Sequence, residues 1–339
     1  RGNIGYEIDA ILKETNISMC LVAPSYPEQN RILVGGIMMV GGKPLAFTEV
    51  AHDAASPIQE SHAQKLLEQQ SLHKIGRIDL TLVTSSRERL KKAVEKEQRK
   101  GYKIIIFDAV SRRDLANVAD VGFSLRSKPL FVGSAGLAEE VAKKLSPPKP
   151  LQRPMKPFKH ILIVSGSASS VTHQQLRLLE QRKIPAFQLN KTLLSGDGPK
   201  VQREREELSK KMANSLSQGI AILKTTPEIL QPEKSKDLPI HLKITKTLAD
   251  IALSSLELSK VDVHDLTVIL TGGDTAQSII NVLGNERIEI EGELLGGIVK
   301  GHLIGGNWEG LTIITKAGAF GKEDALEKIV DILLIGSSL

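Results

Sequence analysis

Read for the spacing of its apolar positions, the chain alternates short hydrophobic runs with longer polar segments whose apolar residues recur every three or four places. In the first half, Ile17–Ala23, Ile78–Val83 and Lys103–Phe107 predict strands, while Glu60–Gln70, Arg87–Lys100 and Ala135–Leu145 predict helices. The stretch RILVGGIMMVGGKPLAFTEV holds two apolar runs divided by Gly41 and Gly42, which predicts a β-hairpin inserted at the sheet edge. The pattern then restarts. Strands are predicted at His160–Val164, Ala186–Leu189, Gly219–Leu223, Leu266–Leu270 and Leu311–Ile314, and helices over Arg203–Leu216, Ile244–Ser254, Ala276–Leu283 and Lys322–Ile332. This alternation predicts an α/β fold: two α/β domains with mostly parallel sheets and an interdomain cleft.

Between the halves runs SPPKPLQRPMKPF, with five prolines. Proline removes backbone donors and restricts the residue before it, so an extended linker is expected at 146–157, separating domains 1–147 and 158–339. The polar, proline-bearing segment Thr226–Leu238 predicts a surface loop, and no fixed-period repeat suggests a solenoid.

Composition narrows the function classes. Hydrophobic residues make up 41% of the 339 and charged residues 25%, a balance that excludes disorder, collagen and coiled coil as whole-chain descriptions. The net charge of +6 suits an anionic small ligand, while 3% aromatics leave little for a base-stacking platform. The basic stretches Arg87–Lys92 and Arg99–Lys103 alternate with acids and read as solvated helix faces, so no nucleic-acid partner is expected. The longest apolar candidate, Ile32–Val40, is short and broken by Gly35 and Gly36, so no membrane partner is expected either, and a cytoplasmic protein is. The lone cysteine, Cys20, sits among apolar neighbours and reads as a buried, inert thiol. His52, His62 and His73 lack metal-ligand spacing and read as dispersed surface residues, so no protein metal centre is expected. The chain opens on Arg1 with no initiator Met, which reads as the middle of a longer chain.

Candidate chemistry lies in three small-residue turns that follow predicted strands of the second half. ILIVSGSASSVT delivers Ser165, Gly166, Ser167 and Ser169 into the start of a helix, where bare backbone amides and hydroxyls make an anion-binding arrangement. In LTGGDTAQSI, Gly272 and Gly273 allow close backbone approach, and Asp274 with Thr275 opens a helix, either as its cap or beside a ligand. In ITKAGAFGKEDAL, Lys316 could neutralise a phosphate or be a solvated lysine, with Gly318 and Gly321 behind it. All three follow carboxyl ends of strands, where open parallel sheets bind ligands. None matches the P-loop or dinucleotide-binding fingerprints, and without the latter an NAD-linked dehydrogenase is disfavoured.

These turns, in this order after a proline linker, closely resemble the nucleotide-binding domain of the four-carbon acid sugar kinases. RGNIGYEIDAIL, APSYPEQNRILVGGIMMVGGKPL and VGSAGLAEEVA resemble that family's acid-sugar-binding domain. The resemblance implies transfer of the ATP γ-phosphate to a hydroxyl of a threonate- or erythronate-like acid, with ATP and Mg²⁺ as cofactors. By motif it places Ser165 to Ser169, Gly272 to Thr275 and Lys316 to Gly321 at the ATP site, with Asp274 as the catalytic candidate, orienting the hydroxyl or assisting Mg²⁺. On the acid side, Arg31 is a candidate for the substrate carboxylate, and Arg1 and Asn3 could add donors. Gly133 and Ser134, in a turn before the linker, could face the cleft, and Asp108, at the end of a strand, is a secondary candidate or a helix cap near Ser111. The family's DDxTGA-like opening loop and Asp-Ser-Arg-like segment are absent. Activity is therefore expected to need an upstream segment, and an unpaired sheet edge to be covered by that segment or by a homo-oligomer. A non-catalytic nucleotide- or acid-sugar-binding fragment is the alternative.

Overall fold

The computed structural model describes residues 2–52, 57–145, 155–167, 169–194, 198–225, 239–284 and 287–336. Most of the expected linker (146–154), the expected loop Thr226–Leu238, and Arg1 lie outside the described residues. The chain divides into two compact units, Arg1–Lys149 and Pro150–Leu339.

The first unit runs α1 (Ile4–Glu14), β1 (Cys20–Ala23), β2 (Arg31–Val34), β3 (Ile37–Val40), β4 (Lys43–Pro44), α2 (Ala63–Glu68) and β5 (Ile75–Ile78). It continues with α3 (Leu80–Val83), α4 (Arg87–Arg99), β6 (Ile104–Phe107), α5 (Arg112–Ser124), β7 (Leu130–Gly133) and α6 (Ala135–Ala142). Its main sheet is parallel throughout, in the order β5-β6-β1-β7. Side chains alternate between the faces of a strand, so each face has its own core. Cys20, Val22, Ile104 and Ile106 pack against Ile8 and Leu12 of α1, Leu67 of α2 and Leu33 of β2. Leu21, Ile105 and Phe107 pack against α4, α5 and α6 through Leu90, Val118 and Leu137. Cys20 is fully buried, and burial pushes its thiol up to about 12, in keeping with an inert core residue.

Two sequence expectations need correction here. Ile78–Val83 is not a strand: β5 ends at Ile78, Asp79 caps a helical turn by accepting from the Leu82 amide at 3.0 Å, and α3 follows. The hairpin is not inserted at the edge of the main sheet. β2, β3 and β4 form a separate antiparallel sheet that turns at Gly35–Gly36 and again at Gly41–Gly42.

The second unit runs β8 (His160–Ser165), α7 (Ser170–Gln181), β9 (Ala186–Gln188), α8 (Pro199–Gln218), β10 (Ile220–Lys224) and α9 (Ile240–Ser259). It continues with β11 (Leu266–Thr271), α10 (Gly273–Val282), β12 (Arg287–Leu295), β13 (Ile298–Ile304), β14 (Thr312–Lys316) and α11 (Ala325–Ile335). The sheet order is β12-β13-β14-β11-β8-β10-β9. Strands β14 through β9 are parallel, and the unanticipated pair β12–β13 adds to β14 in antiparallel sense. Helices α8, α9 and α10 cover one face through Met212, Leu248 and Ile279. The other face is covered by α7 and α11, through Leu176, Leu179 and Ile329.

Gly133 marks how closely helix and strand approach in the first unit. A β-carbon there would stand 2.6 Å from Ala23 O and 2.8 Å from Leu137 Cβ. Gly133→Ala is expected to destabilise the fold by about 1–3 kcal/mol through overpacking, read as a lowered urea midpoint. An unchanged midpoint would return the residue to a ligand role.

Candidate functional site

The second sheet fixes where the three turns begin. Thr271, the last residue of β11, is in register with Ser165 at the end of β8 on one side and with Lys316 at the end of β14 on the other. Neighbouring strands lie about 4.8 Å apart, so three small-residue turns leave one stretch of carboxyl edge side by side. Thr271 and Ser165 share a hydroxyl–hydroxyl bond of 2.7 Å, and the Gly272 amide donates to Lys316 O at 3.0 Å.

Beyond this row the turns touch. In the first, Ser167 is buried and its hydroxyl accepts from the Ser169 amide at 3.2 Å. Ser169 holds the N-cap position of α7 but makes no capping bond, and its Oγ is buried without a partner among the described residues. Gly166 backs onto Thr275, where a β-carbon would collide with Thr275 Oγ1. In the second turn the N-cap is Gly272, at φ +98°, a conformation that L side chains rarely adopt. Neither Asp274 nor Thr275 therefore caps α10. Thr275 is buried against the first turn, whereas Asp274 is exposed in the first helical turn. A β-carbon on Gly273 would meet open space.

The third turn is tied down from inside. Lys316 is 2% exposed, and its Nζ donates to Thr172 Oγ1 (3.2 Å), Ala317 O (3.1 Å) and Gly318 O (3.1 Å). An ammonium has three donors, and all are spent, two on carbonyls of its own turn and one on Thr172 of α7. Lys316 thus braces the turn; it is not a solvated lysine, and it does not present its charge outward. Thr172 Oγ1 donates to Gly318 O, and Gln175 Nε2 donates to Phe320 O (3.2 Å) and Lys322 O (2.7 Å). Gly318 abuts Ser167, and Gly321 lies against Ala325 and Gln175. The eleven expected residues from Ser165 to Gly321 thus gather on one edge. Sequence reading missed Thr172 and Gln175. Their signal was present, since both are polar residues on the face of α7 that also carries Leu176 and Leu179.

The nucleotide expectation meets a physical test in these residues. Two helices of ten and twelve residues start at this edge without a side-chain cap from the N-cap residue, and helix starts favour anions. The orphaned Ser169 hydroxyl adds a donor, and Gly273 leaves room for close approach. The set fits phosphate oxygens. Among the described residues no group of three or more His, Cys, Asp or Glu side chains is arranged to hold a metal, and no helix is long and apolar enough to cross a membrane.

The expected acid-side residues are more dispersed in role. Asn3 is exposed at the start of α1 and makes no capping bond. Arg31 opens β2, half-exposed, with its backbone paired to Tyr26. Ser134 caps α6 and donates to Ser25 O at 2.5 Å, so its hydroxyl is engaged in packing the turn. Asp108 does not cap the helix after it. Ser111 does so, in a capping box with Asp114, while Asp108 holds the Gly35–Gly36 turn and Arg77. His62 is not a surface residue but half-buried against Gly36.

Lys316 gives a pH signature. Burial pushes its ammonium down to about 8, below the roughly 10.4 of an unfolded lysine. Between those values the unfolded chain binds the proton more tightly, so this group makes stability rise with pH from about 8 to about 10. Lys316→Met is expected to flatten that rise. Urea midpoints of both proteins at pH 7.5 and 10 check this, and equal pH dependence would count against a buried ammonium.

Residues 1–141 match the family described as sugar-binding N-terminal domain, and residues 162–326 match that described as nucleotide-binding C-terminal domain. The chain is 28% identical over 345 residues to the D-erythronate kinase of Heliobacterium modesticaldum, covering 98% of this chain and 77% of that protein. It is 27% identical over 337 residues to the D-threonate kinase of Salmonella typhimurium, covering 96% and 76%. Among solved structures, a Haemophilus influenzae protein of a domain-of-unknown-function family superposes with TM-score 0.66 at 24% identity, covering 98% and 78%. A Salmonella typhimurium LT2 protein described as a tRNA synthase superposes with TM-score 0.75 at 21% identity, covering 97% and 77%. At those identities the two structures speak for the fold alone. With both of its units matched in order, the chain belongs to the four-carbon acid sugar kinase family.

Proposed function

We propose that the protein is an ATP-dependent kinase that phosphorylates a hydroxyl of a four-carbon sugar acid of the erythronate, threonate or 3-oxo-tetronate kind. The observation that carries the reading is the in-register row Ser165–Thr271–Lys316, which sets three small-residue turns and two uncapped helix starts on one edge. Relatives named for the phosphorylation of these acids supply the substrate class. We assign ATP binding to unit Pro150–Leu339 and acid binding to unit Arg1–Lys149, with Arg31 and Asn3 as acid-side candidates. A kinase drawing on the cell's ATP belongs with that pool, in the cytoplasm.

In this reading the first amides of α7 and α10, with the hydroxyls of Ser167 and Ser169, hold phosphate oxygens. Their positions are set before any ligand arrives, so they stabilise charge without reorganising. Lys316, Thr172 and Gln175 keep the third turn in place. Asp274 is exposed at the positive end of α10, where a carboxylate is tolerated. It orients the acceptor hydroxyl or helps to hold Mg²⁺, an ion that usually takes one or two carboxylates together with substrate phosphates. When bound, Mg²⁺ would offset the charge on the β- and γ-phosphate oxygens.

The direct test is ADP release with D-erythronate, D-threonate and 3-oxo-tetronate as acceptors and erythritol as the control lacking a carboxylate. Acid-dependent release is expected, and none with erythritol. ATP binding without release for any acid would instead describe a binding module. Two variants examine the site. Gly273→Asp should fold normally, because its side chain enters open space, but should lose at least about tenfold in ATP affinity by calorimetry, one to two kcal/mol of added repulsion. Asp274→Asn should lower kcat by about 10²-fold while ATP affinity shifts less than about threefold. An unchanged kcat would remove Asp274 from the reaction.

A further inference from the structure

The carboxyl edge of the first sheet holds a polar group with no assigned role. Asp108, 1% exposed, follows β6 and accepts from the amides of Gly35 (2.8 Å) and Gly36 (3.0 Å) and from Arg77 Nη1 (3.1 Å). These bonds pin the β2–β3 turn over the edge. Arg77, on β5, commits one of its five donors to Asp108 and makes no other hydrogen bond among the described residues, with 31% of its side chain exposed. His62 reaches the same place from the start of α2. Its backbone is fixed by pairing with Ile37 and by the Ala63 amide on Gly36 O at 2.9 Å. Its ring does not cap the helix, and Nδ1 is buried without a partner among the described residues.

The ring and the guanidinium stem converge over Gly36. A β-carbon at that glycine, which sits at φ +77°, would stand 3.0 Å from His62 Nε2 and 3.2 Å from Arg77 Cδ. Buried polar groups are almost always hydrogen-bonded, so a ring with an orphaned Nδ1 and its Nε2 on the side of a half-open guanidinium calls for an explanation. A guanidinium takes a carboxylate through paired donors, and an imidazole N–H beside it adds a third. Arg77, next to last in β5, and Asp108, directly after β6, put the pair at the carboxyl edge of the parallel sheet, where such sheets take ligands. The opposing charges are Asp108, whose carboxylate is spent on Arg77 and the Gly35 and Gly36 amides, and Glu60, whose carboxylate is engaged by the His62 amide (2.7 Å) and by Lys65 (3.9 Å). Arg31 is separate, since the length of β2, about 10 Å, lies between it and the Gly35–Gly36 turn.

We propose that Arg77 and His62 form a subsite for the carboxylate of a small hydroxy acid, with Asp108 as the positioning residue that aims Arg77 and holds the glycine turn. The substrate class rests on the kinase reading above; the site itself rests on this geometry. The test compares His62→Leu, His62→Gln, Arg77→Lys and Arg31→Ala, each with a urea midpoint to confirm folding. His62→Leu should raise KM for D-erythronate or D-threonate by about tenfold or more and leave KM for ATP unchanged, and His62→Gln should recover part of the loss by restoring a donor. Arg77→Lys should raise the same KM, because an ammonium lacks the paired geometry. Independently of turnover, the His62 ring ¹⁵N signals of the wild-type protein should move on adding the acid and stay still with erythritol. Unchanged acid KM in well-folded His62→Leu, with still ring signals and the whole loss falling on Arg31→Ala, would overturn the proposal while leaving the kinase reading intact. If no acid supports ADP release but malate or citrate moves the His62 signals, the carboxylate subsite stands and the four-carbon substrate reading falls. Ring signals that respond to none of these acids would overturn the subsite.

Discussion

The parallel register of β11 between β8 and β14 is the constraint from which the nucleotide edge follows. Side chains alternate along a strand, so a slip of one residue would turn Thr271 to the opposite face and separate its hydroxyl from that of Ser165. The fully buried faces of β8 and β11 prevent that slip, since every second apolar residue belongs to one of two helix-covered cores. With the strands locked, the amides and hydroxyls after them have few places left to go. Lys316 completes the arrangement by filling its own turn from within.

The two units treat small residues at strand ends differently. At the end of β7, Gly133 and Ser134 bring α6 onto the sheet and are used up in doing so. At the ends of β8 and β11, the small residues let the turns press against one another, while among the described residues the Ser169 hydroxyl has no partner and a β-carbon on Gly273 would meet open space. The same residue types thus close one edge and leave another available. Hydrogen-bond satisfaction separates the two cases, and composition does not.

Much of this was legible in the sequence, for reasons that differ by element. Apart from the antiparallel pair β12–β13, the strands and helices of the second unit followed from apolar period, and the three turns from clusters of Ser and Gly at strand ends. Ile78–Val83 misled because IDLTLV alternates like a strand, while Asp79 uses the Leu82 amide to start a helical turn. Lys316 was ambiguous because a lysine after a strand looks the same whether it folds inward or outward. Burial depended on Thr172, 144 residues away in sequence. His62 was dismissed on spacing alone, although spacing tests only for metal pairs. Its neighbours Gly36, Arg77 and Asp108 come from three other segments and meet only in the folded unit.

The antiparallel pair β12–β13 has a consequence for the sheet as a whole. An open parallel sheet ends in rows of unpaired amides and carbonyls that can template a strand from another chain. Here β12 carries Glu289, Glu291 and Glu293 and is bent by irregularities between Ile290 and Gly292 and between Glu293 and Leu295. Burial works to raise the Glu291 carboxyl, but the bonds from Lys300 and His302 on β13 outweigh it and hold it below the usual range and therefore charged. At the far edge, β9 is only three residues long. A sheet of seven strands thus terminates in a crooked, acidic margin on one side and a stub on the other, and both discourage edge-to-edge growth while the chain is crowded among its own copies.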